Sequence, residues 1–147
     1  MLRSIMMGLV AGQRSMTPLA ALAGAARLGA LPYDNAGARL MSSPLIAAGG
    51  VAMAAAEMAG DKMKTAPDRT VFLGLLARTI TGGFAGAALA PAERQLAGAA
   101  LGIGAAIASS YCGLAAREWA IARYGQTTSG FVEDAVVLAA ATAIARR

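Results

Sequence analysis

Arg14 is the residue with the most chemistry to explain. It stands in an apolar stretch, Met6 to Ala23, inside the polar string Gln13-Arg14-Ser15-Met16-Thr17-Pro18. A guanidinium stays protonated when buried and offers five donors in a planar fork, which suits a carboxylate or a phosphate. Near a bilayer centre it costs roughly 2.5–3.5 kcal/mol on insertion scales, so it calls for a partner or a task. Ser15 and Thr17 add hydroxyls beside it. Candidate counter-charges lie far away in sequence. Glu57 and Asp61 are four apart and share a helix face, a spacing at which two carboxylates hold a cation or share a proton. Glu133 and Asp134 are adjacent, so they point to different sides of a helix and at least one faces inward. Arg78, within Leu75-Leu76-Ala77-Arg78-Thr79-Ile80-Thr81-Gly82-Gly83, is a second cation away from any end to which it could snorkel.

Each of these also has a plainer reading. Arg14 and Glu57 can be structural ion-pair members that tie helices together. Asp61 through Arg69 reads as a charged interfacial turn in which Asp68 caps the next helix. Glu133 and Asp134 fit a helix's first turn, where the macrodipole favours acids without any functional need.

Composition excludes several function classes. With 57% hydrophobic and 14% charged residues in 147, the chain lies outside the usual soluble balance and reads as one membrane domain, residues 1–147. The absence of histidine removes Ser-His and Cys-His catalysis, an imidazole proton relay and most transition-metal sites. One cysteine, Cys112, permits no intramolecular disulfide and no cysteine metal motif, and reads as a small buried hydrophobe. The net charge of +5 comes from basic residues scattered between apolar blocks, with no stripe of interleaved aromatics, so anionic lipid headgroups rather than nucleic acid are the expected counter-charges. No enzyme, cofactor or metal site is read.

The elements that must position these residues are apolar spans bounded by charge and capping signals. The first region, Leu2 to Leu31, exceeds one span. Thr17-Pro18 is an N-cap and first-position pair, which predicts a kink or break between Arg14 and Thr17, or a continuous helix with an ordinary proline kink. Further spans run from Ser43-Pro44 to Gly60, from Pro67 to about Ala90, from Pro91 to about Ala116, and from Ser129 to Ala145. The Pro32 to Gly37 turn should lie outside the hydrocarbon. Trp119 and Tyr124, flanked by Arg117 and Arg123, form an interfacial anchor. Gly82, Gly83, Gly86, Gly98, Gly102 and Gly104 recur at small-xxx-small spacing, which favours tight helix pairing within one chain or between two. With five crossings the basic residues nearly balance across the two sides, so orientation is weakly set, with a mildly cytoplasmic N-terminus.

The strings Gly12-Gln13-Arg14-Ser15-Met16-Thr17-Pro18-Leu19-Ala20, Gly60-Asp61-Lys62, Ala66-Pro67-Asp68-Arg69 and Glu133-Asp134 together resemble a family of small bacterial membrane proteins catalogued as a domain of unknown function, number 4126 in that series. The resemblance covers nearly the whole chain, and the arginine-serine-x-threonine-proline string is its most specific part. Gln13 stands where the family has a small apolar residue or methionine. The resemblance implies membrane location and marks site residues, but no substrate.

The expectation is therefore an all-α, polytopic membrane helix bundle of about five spans, the first one broken, multi-pass in the inner (cytoplasmic) membrane, with membrane lipids and further copies of itself as partners. The function expected is passage of a small ion or polar solute. Arg14, Ser15 and Thr17 would form the recognition knot, with Glu57, Asp61, Arg78, Glu133 and Asp134 as the charges around it. A non-transporting scaffold or accessory subunit, or a protein that handles lipid headgroups, is the alternative.

Overall fold

The computed structural model describes residues 1–32, 34–60 and 72–146. Asp61 and the turn through Arg69 lie outside the described residues. Among the described residues the chain is all-α with no strand, and its helices are α1 (Leu2–Gln13), α2 (Thr17–Arg27), α3 (Ala36–Met41), α4 (Pro44–Gly60), α5 (Phe72–Ala88), α6 (Gln95–Tyr124) and α7 (Gln126–Arg146). Two helices, Ala92–Tyr124 and Gln126–Arg146, are long and apolar enough to cross a membrane, while α4 and α5 are apolar but shorter, 17 residues each.

Glycine sets how the long helices meet. A Cβ on Gly86 would strike the Gly98 carbonyl, one on Gly102 would strike the Gly82 carbonyl, and one on Gly8 or Gly12 would strike the carbonyls of Gly102 or Ala106. Three backbones, α1, α5 and α6, therefore touch along one seam that no larger residue could line. The register of these contacts makes α1 and α6 parallel, and α5 antiparallel to both. Gly83 meets the Ile103 side chain, but Gly104 has open space around it, so of the glycines expected to pair, Gly104 faces away.

Direction is the main departure from the expected layout. Arg3 at the start of α1 donates to the carbonyls of Ile144 and Ala145 at the end of α7, whereas Arg14 meets Asp134, so α1 and α7 are antiparallel. The chain then breaks at Arg14, Ser15 and Met16 and α2 doubles back. Its last turn joins Leu31, Ala38 and Arg39 around one cavity, and α3 is tied to the end of α5 by Asn35, whose Nδ2 donates to the carbonyls of Ala87 and Ala90 at 2.7 and 2.9 Å. The first region is thus a helical hairpin with its tip inside the bundle, not one kinked crossing. Both chain ends lie at the same end of the molecule. Helix α6, with 30 residues, is the longest of the described helices, and α7 has 21.

Asn35 was not foreseen, since its turn reads as a surface loop. It is fully buried. Its Oδ1 accepts from the amides of Gly37 and Ala38, capping α3, while its amide nitrogen secures α5, so one side chain satisfies both ends of its own donor and acceptor set. Two boundaries also differ from the sequence reading. Helix α6 continues through Trp119 to Tyr124 before Gly125 turns the chain at φ 82°. Helix α7 begins at Gln126, so Glu133 and Asp134 lie beyond its second turn, where the macrodipole no longer accounts for them. Cys112 is exposed rather than buried.

Candidate functional site at the helix break

A broken helix frees amides at the start of one half and carbonyls at the end of the other, and inside a bundle both sets need partners. On the carbonyl side α6 reaches the last turn of α1, and of the freed carbonyls Gly12 O takes a bond from it. Ser109 Oγ donates to Leu9 O at 2.8 Å, and Ser110 Oγ lies 2.8 Å from Ala106 O and 3.3 Å from Gly12 O. Gln13 Nε2 reaches Ser109 O and Oγ at 2.8 and 2.6 Å, its amide resting on Gly113. Ser109 and Ser110 are site residues that sequence reasoning missed, and Gln13, though part of the polar string, had been given no role.

The amide side is met by Glu57 of α4. Its carboxylate accepts from Ser15 N at 2.8 Å, Ser15 Oγ at 2.6 Å and Met16 N at 2.8 Å. A negative charge at a helix N-terminus gains from the dipole as well as from charge-assisted hydrogen bonds. Thr17 was expected to cap α2 and does not. Met16 holds the cap position in a helical conformation, φ −94° and ψ −16°, with no side-chain cap bond, and Thr17 is fully buried with no partner for Oγ1 among the described residues. A carboxylate from another helix has taken over the local cap.

Arg14 itself is 2% exposed. Its Nη2 lies 2.7 Å from Asp134 Oδ1 and 3.9 Å from Glu133 Oε2, and Glu133 Oε2 is also 3.4 Å from Arg117 Nη1. Two cations and two carboxylates therefore alternate from α1 through α7 to α6. Glu133 and Asp134 both turn toward this network. Glu57, the second candidate partner for Arg14, is committed to the α2 amides beside it. Arg78 is buried as well. Because Gly86 sits opposite Gly98 and Gly82 opposite Gly102, Arg78 lies one turn further along α5, level with the break.

Arg14, Ser15, Thr17, Glu57, Arg78, Glu133 and Asp134 are thus gathered around one level of the bundle. Asp134 has twelve residues of α7 on one side and eight on the other, or about 18 and 12 Å of helix, so the level is interior. Among the described residues no group of three or more His, Cys, Asp or Glu converges to hold a metal ion. The arrangement can hold charge, donate to anions and exchange ion-pair partners. No protein-family model, no curated protein and no solved structure matches this chain.

Proposed function

We propose that the chain is a multi-pass membrane protein that passes a small ion or polar solute at the tip of its α1–α2 hairpin. The observation that carries this reading is an inverted distribution of polarity across the bundle. Arg14, Asp134, Thr17, Ser110 and Asn35 are buried, whereas Leu96 is 89%, Leu45 81% and Phe72 77% exposed. A surface of this kind is costly in water and natural in lipid. In lipid, α4 to α7 cross and the hairpin enters from one face and returns to it. Interrupted helices at membrane depth are tolerated where they line a pathway or are packed in protein, and ionisable groups there mark ion and solute routes.

In this scheme Arg14 and the Ser15 and Met16 amides form the positive rim of the pathway, and Glu57, Glu133 and Asp134 the negative groups that compete for them. Asp61 belongs to the same proposal by its spacing from Glu57. Residence in a bacterial inner membrane is part of the same proposal. Self-association is assigned to outer faces such as those bearing Gly49 and Gly104, which have no neighbour within 4 Å, since the glycine seam is used inside the chain.

One observation favours the scaffold reading: Arg14 already meets Asp134 at 2.7 Å, and Glu57 the Ser15 and Met16 amides at 2.8 Å, so these charges tie helices together. Flux through liposomes holding the purified protein, across a panel of cations, anions and small polar solutes, separates the two. Passage of one class, lost in Glu57→Gln and Asp134→Asn proteins that remain folded, supports transport. A well-folded wild type that passes nothing assigns the charges to helix locking.

A further inference from the structure

An apolar groove runs along the outside of the bundle between α1 and α7, with α6 as its floor. It consists of two cavities of about 470 and 240 Å3 that share Met6, Ala140 and Ile144. Leu2 and Arg3 stand at one end, and Gln13, Ser109 and Cys112 at the other. From Arg3 to Gln13 the groove follows ten residues of α1, about 15 Å. That is half of a hydrocarbon core about 30 Å thick, the depth of one leaflet.

Charge is confined to one end. Arg3 is held in place by its bonds to Ile144 O and Ala145 O, and Arg146, exposed, follows on the same helix end. Neither pairs with a carboxylate among the described residues. A second cavity, of about 530 Å3 between α2 and α4, ends in the same way at exposed Arg27, at the same end of the molecule. At the inner end of the first groove the polar atoms of Gln13 and Ser109 are bonded to each other and to backbone. An extended peptide laid in this groove would find no donors or acceptors along its walls, which makes its backbone costly to bury there. A hydrocarbon chain brings no such groups.

We propose that the groove between α1 and α7 is a binding site for one acyl chain of an anionic phospholipid, whose phosphate meets Arg3 and Arg146. The small side chains Ala108, Ala140 and Ala143 leave room for the chain, and the two arginines set the headgroup preference. The site rests on the membrane disposition argued above and is separate from the Arg14 network.

Protein purified from nanodiscs of equal phosphatidylglycerol and phosphatidylcholine, followed by native mass spectrometry, counts the lipids retained. Wild type is expected to favour phosphatidylglycerol by about fivefold for each of the two basic residues at the membrane surface, about 25-fold together. Arg146→Gln and Arg3→Gln should each reduce that preference to about fivefold, and the double variant should abolish it. Ala140→Phe fills the groove without touching a charge and should remove the retained lipid whatever its headgroup. Equal retention of both lipids, or retention unchanged by Ala140→Phe, overturns the site. A lipid-free dimer that Ala140→Phe disrupts overturns it too, by giving the groove to a second copy. Alkaline carbonate extraction tests the underlying disposition separately. Release of the protein sinks the membrane reading, whereas an embedded protein with no lipid preference sinks the groove alone.

Discussion

Asp134 and Glu57 serve the same break in different ways, one as counter-charge to a cation and the other as cap to a helix. Removing Arg14 leaves Asp134 buried without its cation, and breaking a buried pair from one side costs roughly 3–5 kcal/mol. Arg14→Ala is therefore expected to lower the folded yield sharply, read as the monodisperse fraction in detergent and its thermal midpoint. Adding Asp134→Asn should recover part of the loss. Adding Glu57→Gln should recover none, because Glu57 answers to the amides of Ser15 and Met16; recovery by Glu57 instead of Asp134 would reverse the two roles. Glu57→Ala alone removes charge-assisted bonds worth roughly 1.5–3 kcal/mol each in related settings and should loosen the hairpin tip, seen as faster amide exchange at Ser15 and Met16. At this scale much was legible. An arginine at membrane depth demands an acid, and Glu133-Asp134 were the available acids within an apolar span. The trans cap was not legible, because Thr17-Pro18 carries a local capping signal and nothing in a sequence reports that a carboxylate from a distant helix outcompetes it.

Among the elements, the seam of α1, α5 and α6 gives a paired test in one helix. Gly102→Ala puts a methyl group against the Gly82 carbonyl and is expected to push α5 and α6 apart, with a clear drop in thermal midpoint. Gly104→Ala, two residues away, has open space and gains helix propensity of up to about 1 kcal/mol, so it should be neutral or stabilising. Equal effects at the two sites would place the seam elsewhere. Glycine spacing predicted tight helix pairing but left open whether it lay within one chain or between two, and composition could not say which faces met. Gly8 and Gly12 show the same limit. They have small-xxx-small spacing, yet only the parallel run of α1 beside α6 gives it meaning. The proline and the arginine announced the break, while the direction taken after it depends on what α2 packs against, namely α4 and α7, which lie far along the chain.

For the molecule as a whole, in the proposed membrane disposition, the hairpin changes topology by one crossing. Reporters fused at Met1 and at the C-terminus are expected on the same side of the membrane, and a tag inserted at Gly125 on the opposite side; termini on opposite sides would restore a first region that crosses. Among the described residues the hairpin places Arg3 with Arg27, Arg39, Arg94 and Arg146, against Arg117 and Arg123 at the other end; where charge sets orientation, lysines added beside Gly125 should work against that bias. The break also has a consequence for how the chain is made. Ser15 and Met16 wait for Glu57, and Arg14 waits for Asp134, which is translated near the end of the chain. At roughly 5–20 residues per second that delay is on the order of ten seconds. In the proposed membrane disposition the α1–α2 hairpin thus reaches its place only after α7 is made, and until then it must be sheltered by the insertion machinery or held outside the bilayer. A chain that stops after α6 would offer lipid an arginine with no answering aspartate, a ready mark by which membrane quality control could tell an unfinished copy from a complete one.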